Sequence, residues 1–352
     1  MTDLVRKLPK QEYSITVQCL TGGRFEQDLP GDVVYRPMIR TPIPALSRFA
    51  SKVLSKLPKP VGRLFVKHNY DIEIAYLEGF PTKVIASRTE SCAKKLAVVH
   101  TNAAQSDMIS RQYPDKNTCL AQYRLFDRVV FVSDDAMHGF FHTFGILEQA
   151  QVVHNVIDFS RIRAQSQLPA PCAYTKDGMK LIAVGRLIPL KGFDRLIRIC
   201  AELEQEFPFE LLILGGGELQ EELQAAITET GARSVRLMGM QSNPYAWMRQ
   251  ADLMVCSSFA EGYSTTIVEA LSLGLPVLTT ACAGMEEILE GGKWGKIVGL
   301  SDEALRDGLR EVLENKALYD DLKQRAMSRA EQLTDETSVM EYLQLFDTIT
   351  EA

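Results

Sequence analysis

The second half of this 352-residue chain alternates short, wholly apolar runs with amphipathic segments, and nothing else in the sequence constrains the fold as strongly. Residues 179–185, 210–214, 235–238, 253–256 and 276–280 read as strands, and residues 193–207 and 218–230 have helical spacing. A strand that is apolar on both faces has to be covered on both, which implies a parallel sheet between layers of helices. Ligands bind such sheets at the carboxyl ends of the strands. Arg186, Gly215 to Gly217, Gly239 and Glu261 each follow an expected strand, so they should gather at one edge.

The first half repeats the alternation less cleanly, with strands expected over 13–20, 72–77, 96–100, 129–132 and 152–153. The polar segment 158–178, with Pro169 and Pro171, reads as a connection between domains. The expected architecture is therefore α/β, with two Rossmann-like, doubly wound parallel-sheet domains facing a cleft. Residues 1–157 would form the first domain and 179–334 the second, and the helical segment 335–352 would close back over the first. A doubly wound domain usually opens with a buried strand and a glycine turn. Here Met1 leads directly into a helical segment, so the chain is expected to start about one strand late.

Composition narrows the function classes. Hydrophobic residues at 46% and charged residues at 24% are those of a globular protein. No apolar run reaches the ~18–20 residues of a membrane span, and the first residues have no signal-peptide core. Seven scattered cysteines without a C-x-x-C pair fit reduced thiols in a cytoplasm, not a disulfide framework or a zinc site. The net charge of −6 conceals an asymmetry. Residues 1–68 carry twelve Lys/Arg against five Asp/Glu, or +7, which leaves −13 for the remainder. A basic face suits an anionic surface or acceptor, although solvated lysines give the same count. Within it, Ala45 to Leu57 sets Leu46, Phe49, Val53, Leu54 and Leu57 on one helical face, with Arg48, Lys52 and Lys56 on the other. That pattern fits peripheral contact with an anionic membrane and equally a helix packed on a core. Nothing in the sequence calls for nucleic acid.

The chemistry-bearing segment is residues 259–271, FAEGYSTTIVEAL. Glu261 falls in a loop marked by Gly262, and Glu269 on a helix starting near Ser264. The first amides of a helix have no partner within it, so those near Ser264 and Thr265 suit a phosphate. Two carboxylates flanking a phosphate site fit a ligand with hydroxyls on both sides of its phosphates, the shape of a nucleotide-sugar. Residues 185–193, GRLIPLKGF, place Arg186 and Lys191 around a turn favoured by Pro189 and Gly192. Two cations there would neutralise a diphosphate leaving group. Gly215 and Gly216, in a triglycine, let backbone approach a ligand or simply form a turn. Gly239 and Met240 offer backbone to a base or, equally, end a strand. His100, at an expected strand end, can accept a proton or bind a hydroxyl, or serve the fold. His138 and His142 have i, i+4 spacing but no third metal ligand. The absence of any Asp-x-Asp element argues against a nucleotide held through a divalent ion, so no metal and no cofactor is expected.

Taken together, Gly185-Arg186 with Lys191, Gly215 to Glu218, Glu261 to Glu269, the run Gly274-Leu275-Pro276-Val277 and Gly295 to Val298 resemble the family-4 retaining glycosyltransferases of the GT-B fold. The likeness is specific over about 180–300 and continues more loosely through 70–155. It is nearest to enzymes of capsular polysaccharide and exopolysaccharide synthesis. The resemblance implies that Arg186 and Lys191, with amides at Ser264 and Thr265, hold the donor diphosphate. It implies Glu269 on the ribose, Glu261 on the transferred sugar and His100 beside the reacting centre. It also implies metal-independent transfer with retention from a UDP-sugar to a glycan acceptor, lipid-linked at the cytoplasmic leaflet. The family's opening strand and glycine-rich loop do not precede Met1, and Ala281 and Ser264 stand where an acidic residue and a proline are common. A catalytically silent or truncated nucleotide-sugar-binding homologue is the alternative, with a UDP-sugar epimerase behind it.

Overall fold

The computed structural model describes residues 1–21, 26, 28–39, 53–54, 56–66, 69–169 and 174–351. They divide into two compact units, Met1–Asp158 with Asp335–Ala352, and Phe159–Thr334.

The second unit is built on six parallel strands: β7 (Met179–Val184), β8 (Phe209–Leu214), β9 (Val235–Gly239), β10 (Leu253–Cys256), β11 (Val277–Thr280) and β12 (Lys296–Val298), in the order β12-β11-β10-β7-β8-β9. β8, β10 and β11 are buried at every residue, which is why their sequences do not alternate. Helix Phe193–Leu203 supplies Leu196, Ile197, Cys200 and Leu203 to the core on one face of the sheet. The segment expected to be a connection holds a further helix, Phe159–Ser166, in this unit. Phe159 and Ile162 are buried, and the Arg163 guanidinium donates to the carbonyls of Ala330 (2.7 Å) and Leu333 (2.8 Å). Its polar residues hid the two apolar anchors that fix it.

The first unit holds a four-stranded parallel sheet, β3 (Ile72–Ala75), β4 (Lys94–Val99), β5 (Arg128–Phe131) and β6 (Ala150–Val152), in chain order. β1 (Thr16–Thr21) and β2 (Val34–Ile39) form a separate parallel pair, so among the described residues the strands of this half fall into two sheets, not one. β2 escapes sequence reading because Pro37 interrupts it, and a proline cannot donate to a ladder. Helix Asp335–Glu351 belongs to this unit. The Ile157 amide donates to Ser338 Oγ (2.7 Å), the His154 amide donates to Glu341 (3.0 Å), and Lys7 bridges Asp158 and Asp335 at 2.7 Å each. Of the amphipathic stretch Ala45 to Leu57, residues 45–52 and 55 lie outside the described residues. No described helix is long and apolar enough to cross a membrane.

Glu73 on β3 is a buried carboxylate of the first unit, with a side chain 2% exposed. Arg88 Nε donates to both of its oxygens at 2.9 Å, Ser91 Oγ adds a third bond at 2.9 Å, and Arg88 Nη1 reaches the Gly62 carbonyl (3.0 Å). The pair thus ties helix Pro58–Phe65 to the sheet. Removing one partner of a buried pair leaves an uncompensated charge, at a cost of about 3–5 kcal/mol. Arg88→Met should therefore lower the first thermal-unfolding midpoint by several degrees, as followed by circular dichroism; an unchanged midpoint would refute that tie.

Candidate active site

The site of the second unit lies where two strand-end loops meet. After β7 the chain runs through exposed Arg186 and buried Leu187 into a single 3₁₀ turn, Pro189–Lys191. Gly192 follows in the left-handed region at φ +61° and opens the helix at Phe193. A Cβ at Gly192 would sit 2.4 Å from the Ser257 carbonyl oxygen, so close approach requires glycine here as well. After β10, residues 257–264 form a loop, and helix Thr265–Ser272 begins behind Ser264. The Ser264 side chain does not cap that helix, which leaves its first turn able to receive an external anion.

Across these loops Lys191 Nζ donates to Glu261 Oε1 at 2.5 Å, with side chains 18% and 12% exposed. Ser258 Oγ donates to the same oxygen at 2.7 Å. Ser257 Oγ donates to the Lys191 carbonyl (2.9 Å), and Thr280 Oγ1, at the end of β11, donates to the Ser258 carbonyl (2.5 Å). Sequence reasoning assigned Lys191 to a diphosphate and Glu261 to a sugar; in the structure each is the other's partner. The Arg186 guanidinium has no ion-pair or hydrogen-bond partner among the described residues and faces solvent. One turn into its helix, Glu269 accepts from the Tyr245 hydroxyl at 3.4 Å. Cys282, in the neighbouring loop, is held as a neutral thiol because burial pushes its pKa up.

The triglycine has a different physical reason from the one its sequence suggests. A Cβ on Gly215 would lie 1.8 Å from the Gly185 carbonyl oxygen, and one on Gly217 2.3 Å from the Leu187 carbonyl oxygen. Gly215 and Gly217 thus allow the loop after β8 to cross the loop that carries Arg186, a contact sealed by Leu187 N–H to Gly216 O (3.1 Å). The Gly215 amide also donates to the Gly239 carbonyl (2.9 Å), which places Gly239 beside that crossing, while Met240 projects into solvent at 65% exposure.

Residues that sequence reasoning passed over are Ser257, Ser258, Thr280, Tyr245 and Arg195. The serine pair directly after a buried strand and before Glu261 was the available signal. Arg195 carried another, being a cation inside the apolar stripe of its helix.

In the first unit His100 follows β4. Its amide donates to Glu78 Oε1 at 2.5 Å, and its Nε2 lies 2.9 Å from the Tyr76 carbonyl. A carbonyl only accepts, so Nε2 carries the hydrogen and Nδ1 is the acceptor. The loop is anchored by Asn102, whose Nδ2 donates to the Asp135 carbonyl (3.0 Å) over Gly139, where a Cβ would come 2.1 Å from Asn102 Oδ1. His138 and His142 are exposed, and the described residues contain no group of three His, Cys, Asp or Glu able to hold a metal.

An open parallel sheet with a lysine, a carboxylate and an uncapped helix start at its carboxyl edge defines a unit suited to nucleotides. Residues 171–329 match the family described as Glycosyl transferases group 1. An uncharacterized glycosyltransferase of Methanocaldococcus jannaschii is 32% identical over 211 residues, covering 55% of this chain and 52% of that protein. The N-acetylgalactosamine-N,N'-diacetylbacillosaminyl-diphospho-undecaprenol 4-alpha-N-acetylgalactosaminyltransferase of Campylobacter jejuni is 31% identical over 186 residues, 52% of this chain and 49% of that one. The chain thus spans about half the length of the curated relatives it matches. Sucrose-phosphate synthase from Thermosynechococcus elongatus superposes with a TM-score of 0.77 at 18% identity over 98% of this chain and 91% of that one. Anabaena HepE, solved with UDP and glucose, gives 0.73 at 18% identity over 98% and 94%. This likeness establishes the fold, which is GT-B.

Burial lowers the pKa of His100 against the pull of Glu78. Its folded value then lies below the unfolded ~6.5, so the unfolded state binds more protons as pH falls through that value. The stability this neutral ring contributes is complete above pH ~6.5 and lost below it. Thermal midpoints of wild type and His100→Gln at pH 7.5 and 5.5 test this. The gap between them should narrow at the lower pH, and a constant gap would contradict the sign.

Proposed function

We propose that the second unit binds a nucleoside-diphosphate sugar, most simply a UDP-hexose or UDP-N-acetylhexosamine, and that the protein transfers the sugar with retention to a glycan acceptor. The observation that carries this reading is the convergence of Lys191, Glu261 and the start of helix Thr265–Ser272 on one pair of strand-end loops, inside the segment that matches the glycosyltransferase family. Exposed Arg186 and the amides at Ser264 and Thr265 receive the diphosphate. Lys191 exchanges its carboxylate partner for the incoming phosphates, and Glu261, released, accepts hydrogen bonds from the sugar hydroxyls. Glu269 takes the ribose hydroxyls, and backbone at Gly215, Gly216, Gly239 and Met240 borders the base. His100 accepts a hydrogen bond from a sugar hydroxyl at Nδ1. The reaction proceeds without a metal: Arg186, Lys191 and the helix amides stabilise charge as it develops on the leaving diphosphate, whose oxygen draws the proton from the acceptor on the same face.

A lipid-linked acceptor at the inner face of a membrane, in capsular polysaccharide or exopolysaccharide synthesis, fits the +7 charge of residues 1–68. The Campylobacter relative, whose name carries a diphospho-undecaprenol acceptor, supports the same choice. The protein would then work in the cytoplasm, in peripheral contact with anionic lipid. Flotation with anionic vesicles but not neutral ones is the expected outcome, and equal flotation on both removes the membrane from the proposal.

Activity is tested by nucleotide release from a panel of UDP- and GDP-sugars with a polyprenyl-diphosphate glycan as acceptor. The ribose assignment has its own check. Glu269→Gln removes one charged hydrogen-bond partner and should weaken nucleotide binding by about 1.5–3 kcal/mol, read as a tenfold or greater rise in Kd. An unchanged Kd would show that the ribose lies elsewhere.

A further inference from the structure

We infer that Arg195 is the positioning residue of this site, fixing the loop geometry that brings Lys191 and Glu261 together while touching neither; the inference rests on reading the site as one for a nucleoside diphosphate. Arg195 is 0% exposed on the core-facing side of its helix, next to buried Leu196 and Ile197. A guanidinium in such a place is tolerated only when its donors are satisfied. Its hydrogen bonds all go to strand-end carbonyls. Nε and Nη2 both donate to Ser257 O (3.0 and 2.5 Å), Nη2 also donates to Ser258 O (3.2 Å), and Nη1 donates to Leu300 O beyond β12 (2.5 Å). The Phe259 ring covers its face at 3.8 Å. The nearest carboxylate, Asp302, lies 3.5 Å from Nη1 and is half exposed.

The pinned residues are those from which the site hangs. Ser257 Oγ holds the Lys191 carbonyl and Ser258 Oγ holds the Glu261 carboxylate. Gly192, next to Lys191, leaves room for Arg195 itself, since a Cβ there would lie 2.8 Å from Nε. One buried fork therefore sets the separation of the lysine that meets the phosphates and the carboxylate that meets the sugar. A lysine at 195 would keep the charge but, with a single nitrogen, could not bridge three carbonyls on two loops.

The test uses the intact chain, with UDP and GDP as probes and uridine and guanosine as controls, titrated by calorimetry or ligand-observed NMR. Wild type, Arg195→Lys, Lys191→Met and the double variant are compared. Arg195→Lys should weaken the tighter-binding diphosphate about tenfold and leave the matching nucleoside unaffected. In the Lys191→Met background it should add less than about twofold, because the two residues act through one contact. Equal loss for nucleoside and diphosphate, or full additivity with Lys191→Met, overturns the positioning role and leaves Arg195 as a support of the fold. Should Arg195→Lys fail to fold, Ser257→Ala removes only the hydroxyl tie to Lys191 and must show the same selective loss, or the inference fails. Wild type binding neither UDP nor GDP sinks the site reading and this inference with it. Wild type binding normally beside an unaffected Arg195→Lys sinks the inference alone.

Discussion

The second unit depends on one constraint: the loops leaving a parallel sheet must end close together without a clash of backbones or an unpaired charge. β7, β8 and β10 deliver their chains to one edge within a few ångströms, and each crossing is solved differently. Glycines at 215 and 217 allow the loop after β8 to lie against Gly185 and Leu187, where any Cβ would overlap a carbonyl. Between the loops after β7 and β10 the solution is electrostatic, with Lys191 and Glu261 neutralising each other at low exposure. Beneath them Arg195 satisfies carbonyls that the ends of β10 and β12 leave over. Loop crossing and site formation are thus the same physical event, and a ligand-ready edge follows from the sheet's own geometry.

Much of this was legible in the sequence, and what was not has identifiable causes. The second-unit strands could be read because full burial makes them continuously apolar, and Leu253–Cys256 was bounded to the residue. The helix after Glu261 was legible from its glycine, its hydroxyl-rich start and its apolar spacing; it begins at Thr265, directly after the expected start near Ser264. β2 was hidden by Pro37, and the helix Phe159–Ser166 by a polar composition in which two buried apolar residues suffice. The triglycine was legible as a place of close approach, but no periodicity says what approaches, and the answer was the protein's own backbone. Arg195 resisted reading for a related cause. A cation in an apolar stripe signals a buried network, but its partners are carbonyls 62 to 105 residues away in sequence, and carbonyls leave no trace in residue identity.

Pairing Lys191 with Glu261 changes the electrostatics of ligand selection. On the proposed reading, a ligand does not meet two opposite charges standing ready. It meets a neutral pair, beside which Arg186 and the uncapped start of helix Thr265–Ser272 are the positive features. Entry of a diphosphate is then an exchange of anions at Lys191, in which phosphates of higher charge replace a single carboxylate. A further gain comes from what the exchange releases: a carboxylate, still oriented by Ser258, that can take sugar hydroxyls only once phosphates have displaced it. A nucleoside without phosphates cannot drive that exchange, and a nucleoside diphosphate without its sugar leaves Glu261 with no new partner. Only the intact nucleotide-sugar satisfies both members of the pair, so the contact that closes the two loops in the free protein also sets which ligand the site accepts in full.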